Sequence, residues 1–194
     1  MEKRIITISR EFGSGGRTIG KLVAEHLGIR CYDAELIQKL AVESGFDENY
    51  VKEAGEYTPG GFLASAFTDR SFGPTNEDLL WKLQYRIIRE LAEKEPCVIV
   101  GRCGNYALRS RNDVIDLFIC ANMEDRIHRI MERYHFSEKD AINAIHSTDK
   151  RRKHYYENYT HQKWGSIDSH QMLLNVSRLG MDRTVEIIKQ LYNH

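Results

Sequence analysis

The sequence predicts an α/β three-layer sandwich built on a five-stranded parallel sheet, in the strand order 2-3-1-4-5. Three observations carry this reading. Short apolar, β-branched runs at 5–8, 97–100 and 115–120 are separated by amphipathic stretches long enough to act as helical crossovers between parallel strands. The run Cys97-Val98-Ile99-Val100 is apolar throughout, as a central strand covered on both faces requires. The first run passes through a Gly/Ser turn directly into a helical pattern, which places it at the centre of the sheet, where strand order reverses and ligands bind.

Taken in order, Ile5 to Ile8 form the first strand and Arg17 to Leu27 the first helix, with Ile19, Leu22, Val23 and Leu27 on one face and Gly28 just past its end. Residues 29–33 read as a short second strand ending in Asp33. That carboxylate either caps the helix over 34–44 or contacts substrate on the rim of the sheet. A further helix is expected over 47–56. Tyr57-Thr58-Pro59-Gly60-Gly61 breaks it, and residues 45–75 read either as a substrate-side insertion or as an ordinary surface excursion. Leu79, Leu80, Leu83, Ile87 and Leu91 give residues 76–94 a 3.6-residue period, and Pro96 delivers the chain into the strand at 97–100.

That strand exits through Gly101-Arg102, which puts a guanidinium on the rim for a phosphate or for a structural ion pair. A fourth strand follows at 115–121, then a helix over 123–134. Its Arg126, Arg129 and Arg133 read as a solvated face or as a group reaching back toward a ligand. Ser137 caps a helix running to about residue 158. On it Asp149, Arg152, Tyr156 and Tyr159 share a face, which suits either a lid over 137–164 or a salt-bridged surface helix. A fifth strand at 171–176 and a helix over 181–192 close the chain.

Composition narrows the function classes. Lys plus Arg and Asp plus Glu both count 28 among the 194 residues, so no global basic field favours nucleic acid, and any anion site must be local. Cysteines 31, 97, 103 and 120 contain no C-x-x-C pair, which argues for reduced thiols rather than zinc or a disulfide framework. No apolar leader follows Met1 and no run reaches bilayer length. The expectation is a single cytoplasmic domain over 1–194 with neither a membrane nor a stable nucleic-acid partner.

The chemistry concentrates between residues 9 and 18. Gly13, Ser14, Gly15 and Gly16 let the backbone turn sharply and expose N–H groups at a helix start, the layout of a phosphate-binding loop. A Gly-rich strand–helix turn with no ligand uses the same residues. Thr18 offers a hydroxyl to Mg²⁺ or to a phosphate oxygen, and Arg17 adds charge beside it. The pattern G-x-x-x-x-G-K-[ST] is met incompletely, because Arg10 stands where it opens on glycine and Gly16 where it has lysine. The dinucleotide pattern G-x-G-x-x-G does not fit glycines at 13, 15, 16 and 20.

The ordered set Ser9 to Thr18, Tyr32-Asp33, Val100-Gly101-Arg102-Cys103, Asp149-Lys150-Arg151-Arg152 with Tyr155-Tyr156, and Asn175 to Gly180 resembles the cytidylate-kinase-like family of P-loop proteins over nearly the whole chain. The resemblance implies a P-loop NTPase fold, ATP as phosphoryl donor with Mg²⁺, and a nucleoside monophosphate acceptor, CMP or dCMP first. Gly13 through Thr18 then form the donor loop, with Thr18 toward the metal. Asp33 and Arg102 lie toward the acceptor, and Asp149, Arg151 and Arg152 belong to the lid, Asp149 as a substrate contact. Arg17, Arg151 and Arg152 are the expected catalytic cations, with Arg17 or Lys21 in place of the missing lysine. A nonenzymatic nucleotide-binding module, or a kinase of another small phosphorylated or hydroxyl acceptor, is the alternative.

Overall fold

Six consecutive residues of β1 (Ile5–Arg10) are buried, because helices cover both faces of the strand and other strands cover both edges. The computed structural model describes residues 4–43, 45 and 76–193. In chain order β1 is followed by α1 (Gly16–Leu27), β2 (Arg30–Tyr32), α2 (Ala34–Glu43), α3 (Asn76–Lys94), β3 (Cys97–Val100) and α4 (Gly104–Ala107). Then come β4 (Val114–Cys120), α5 (Met123–Tyr134), α6 (Glu138–Thr160), β5 (Met172–Asn175), α7 (Val176–Leu179) and α8 (Met181–Asn193). All strand pairs are parallel, in the expected order β2-β3-β1-β4-β5. Ile8 pairs with Val100 and Arg10 with Ile119, so β1, β3 and β4 bring their carboxyl ends to one rim.

Alternation along β1 divides the core into two layers. Ile6 and Ile8 pack with Ile19 and Val23 of α1, Leu117 and Ile119 of β4, and Val185 and Ile188 of α8. Ile5 faces the other way, with Ile37 of α2, Ile88 of α3, Ile99 of β3 and Val114 of β4. A smaller cluster joins Ile130 of α5 to Ala141 and Ile145 of α6, with Phe12 from the glycine loop packed against it. Cys31, Cys97, Cys103 and Cys120 are all thiols, none of them in a disulfide. Burial pushes the Cys31 thiol up to about 11 and the Cys97 thiol, at the foot of β3, up to about 12.

Three details differ from the sequence reading. The chain leaves β5 at Asn175 and turns at once into α7, so Val176 joins the core from a helix rather than a strand. The one-turn α4 has no counterpart in that reading; it follows Arg102 and Cys103, both in the left-handed region at φ 55° and 52°. Leu79 is exposed, while Leu80, Leu83 and Ile87 form the buried stripe of α3. The helix expected over 47–56 lies outside the described residues, as does the 45–75 segment apart from Gly45. Among the described residues, no helix is long and apolar enough to cross a membrane.

Candidate active site

The glycine loop leaves β1 at Arg10 and enters α1 at Gly16. Gly13 has φ +80°, and a Cβ there would lie 2.9 Å from the Arg126 carbonyl oxygen, so both backbone conformation and the close approach of α5 require glycine. Ser14 Oγ donates to the Glu11 carbonyl at 2.9 Å and tightens the turn. The first N–H groups of α1 have no acceptor within the helix and open on a cleft. Gly13, Gly15, Gly16, Arg17 and Thr18 line it from the loop side, and Arg129, Arg133 and Arg152 from α5 and α6.

Those two helices hold the loop through its backbone. Arg126 Nε donates to the Phe12 carbonyl at 2.7 Å, and Arg129 Nη1 donates to the Gly13 carbonyl at 2.5 Å. Arg152 Nη1 donates to the Arg10 carbonyl at 3.1 Å, and the Phe12 N–H donates to Asp149 Oδ1 at 2.7 Å. Arg126 also pairs with Asp149 and, at 3.4 Å, with Glu11. Burial pushes the Glu11 carboxyl up, against the Ala121 N–H and the Arg126 charge, while Asp149 adds to the rise. Asp149, expected as a substrate contact of the lid, has its carboxylate on the loop backbone and on Arg126.

Asp33 takes the capping role that its position suggested and, in addition, pairs with Arg17 and Lys21. Its Oδ1 accepts from the Leu36 N–H at 3.1 Å, capping α2, while Oδ2 accepts from Arg17 Nε at 2.9 Å and lies 3.7 Å from Lys21 Nζ. Burial works to raise its pKa, but the Leu36 N–H, Arg17 and Lys21 outweigh it and hold the carboxyl below its ordinary value. Arg17 thus sits on the cleft wall with its guanidinium bonded to Asp33. Thr18 lines the same cleft.

A second, narrow cavity opens beside Gly101 and Arg102 and is shared by Arg10, Arg152, Tyr156 and Trp164. Arg10, Arg102 and Arg152 are 5%, 3% and 3% exposed. Nε and Nη2 of Arg102 have no hydrogen-bond partner among the described residues, and its guanidinium lies 6.0 Å from the Tyr155 ring centroid. A buried, incompletely bonded guanidinium is costly without an anion. Tyr155 also donates to Gln84 Oε1 at 3.1 Å, and the buried Gln84 Nε2 has no partner among the described residues. Arg151 donates to Thr148 Oγ1 at 3.2 Å and lines neither cavity.

Beneath this cavity a polar network fastens α6 to the sheet. Thr7 Oγ1 donates to Asp116 Oδ1 at 2.8 Å, and His170 Nδ1 lies 3.1 Å from Oδ2. Tyr156 donates to Gln162 Oε1 at 3.0 Å and accepts from Asn105 Nδ2 at 2.9 Å, and burial pushes its phenol up to about 12. Sequence reasoning missed Arg10, Gln84 and this network, and it left Arg126 and Arg129 between a solvated face and a group reaching back toward a ligand. One available signal was that Arg126 shares a helical face with Ile130, so burial of one carries the other inward.

The sequence pattern of the cytidylate kinase-like family matches residues 5–178. The chain belongs to the cytidylate kinase-like family. Its fold is that of the P-loop kinases. A cytidylate kinase of Archaeoglobus fulgidus is 27% identical over 190 residues, covering 94% of this chain and 91% of that protein. A cytidylate kinase of Pyrococcus horikoshii is 23% identical over 194 residues, covering 100% and 90%. Among solved structures, an uncharacterized protein from Eubacterium ventriosum superposes with a TM-score of 0.77 at 29% identity, covering 98% of each chain. A shikimate kinase from Bacteroides thetaiotaomicron shares the fold, with a TM-score of 0.55 at 15% identity and 96% and 97% coverage.

Proposed function

We propose that this protein transfers a phosphoryl group from ATP to a nucleoside monophosphate, with CMP and dCMP as the leading acceptors. The observation that carries the reading is the pair of adjoining anion sites: a glycine-loop cleft and the Arg102 cavity, with Arg10 and Arg152 lining both. The preference for a cytidine acceptor rests on the similarity to cytidylate kinases.

In this reading Gly13 through Thr18 hold the donor phosphates on backbone N–H groups, and Arg102 takes the acceptor phosphate, with Asp33 on the same rim. An oxygen of the acceptor phosphate attacks the γ-phosphorus, the bond to the β–γ bridging oxygen breaks, and ADP leaves with that electron pair. No protein nucleophile is required, and catalysis consists of alignment and charge stabilisation. Arg152 stands where it can stabilise charge on the group in transit, with Arg151 next to it on α6 as a second cation. The Thr18 hydroxyl, in the first turn of α1 beside the phosphate cradle, fits a Mg²⁺ site completed by substrate oxygens; the ion, when bound, neutralises β- and γ-phosphate charge.

The test separates the two sites. Arg102→Met (R102M) should raise KM for CMP by about tenfold or more, as loss of a charged hydrogen bond implies, with MgATP affinity within about twofold of wild type. Folded wild-type protein that fails to bind MgATP refutes the reading. Gly16 in place of the loop lysine favours the nonenzymatic alternative, which MgATP binding without product from any acceptor would support.

A further inference from the structure

We infer that Arg10 takes the place of the missing loop lysine, reaching the phosphoryl group in transit from the end of β1 rather than from the start of α1. The inference rests on the kinase reading above and assigns a residue that reading leaves open.

Two of the motif's irregularities, Arg10 for the opening glycine and Gly16 for the lysine, are one geometric exchange. A Cβ at Gly16 would lie 2.6 Å from Arg10 Cβ and 3.1 Å from its Cγ, so the Arg10 stem runs across the backbone where a lysine side chain would begin. Side chains at positions 10 and 16 exclude each other. The far end of Arg10 is placed just as closely. A Cβ at Gly101 would lie 2.1 Å from Arg10 Nη1 and 2.9 Å from Cζ, so the guanidinium rests over the exit of β3. Arg10 therefore spans from the loop to the Arg102 cavity and lines both. A charge at that junction faces the terminal donor phosphate and the acceptor phosphate together, where transfer needs it. Arg17 is directed elsewhere, with its Nε and Nη2 at 2.9 and 2.8 Å from Asp33.

Calorimetry with MgATP and MgADP, and turnover with CMP, would be compared for wild type, Arg10→Met (R10M), Arg17→Ala (R17A), Arg10→Gly (R10G) and the exchange variant R10G/G16K. Circular dichroism would confirm that each is folded, with Arg10→Gln (R10Q) replacing R10M if R10M does not fold. R10M should weaken MgATP about tenfold and MgADP less than about threefold, lower kcat about 10²-fold, and lose more of both than R17A. R10G/G16K should turn over at least about tenfold faster than R10G. R10M within about twofold of wild type in both readouts, or R17A losing as much as R10M, overturns the inference. Wild type that binds MgATP but yields no product overturns the kinase reading instead, and the MgATP/MgADP comparison still decides Arg10.

Discussion

Removing the Asp149 carboxylate separates two roles, because they give stability changes of opposite sign. If Asp149 is a clasp, Asp149→Ala (D149A) strips the Phe12 N–H of its acceptor and takes one anion from Arg126, which is 5% exposed. Breaking a buried pair by removing one partner costs about 3–5 kcal/mol. Arg126 keeps Glu11 at 3.4 Å and the Phe12 carbonyl at 2.7 Å, so the expected loss is about 2–4 kcal/mol. At about 2–4 °C per kcal/mol for a chain of this size, Tm should fall by about 5–15 °C in a ligand-free thermal melt followed by circular dichroism. A substrate-binding carboxylate behaves differently, since its removal leaves the empty fold as stable as before or more so. A D149A protein that melts at or above the wild-type temperature refutes the clasp.

Asp33→Asn (D33N) keeps a good helix cap but removes the charge facing Arg17 and Lys21. Because the native carboxyl titrates below its ordinary value of 3.8, its stabilisation is complete above that value and is lost as pH falls through the lowered one. Urea melts should show D33N less stable by about 1–2 kcal/mol at pH 7, with the difference vanishing in acid below pH 3.8. Gly101→Ala (G101A) forces a Cβ to 2.1 Å from Arg10 Nη1 at a residue with φ +82°. It should cost about 1–3 kcal/mol in the same melts, and its kcat should fall toward that of R10M.

Strand order and the loop were legible because they rest on local signals: β-branched runs, crossovers of helical period, and glycines at a strand–helix junction. The Asp33 cap was equally local. What escaped was the burial of arginines. Arg126 and Arg129 look like solvated charges in a linear reading and Arg152 like a lid cation, and only the packing of α5 and α6 against the loop gives their guanidinium groups backbone carbonyls to hold. Arg10 escaped for a related reason. A motif read as spacing records a missing glycine and a missing lysine separately, whereas the 2.6 Å approach between positions 10 and 16 makes them a single event.

The central claim is phosphoryl transfer between adjoining sites, and direct detection of the phosphorylated acceptor by mass tests it most closely. Purified protein with ATP and Mg²⁺ would be offered CMP, dCMP, UMP, AMP, GMP and non-nucleotide phosphate acceptors in parallel. The account predicts CDP or dCDP as the fastest-forming product, formed together with an equal amount of ADP. MgATP binding without a phosphorylated product from any monophosphate would contradict it.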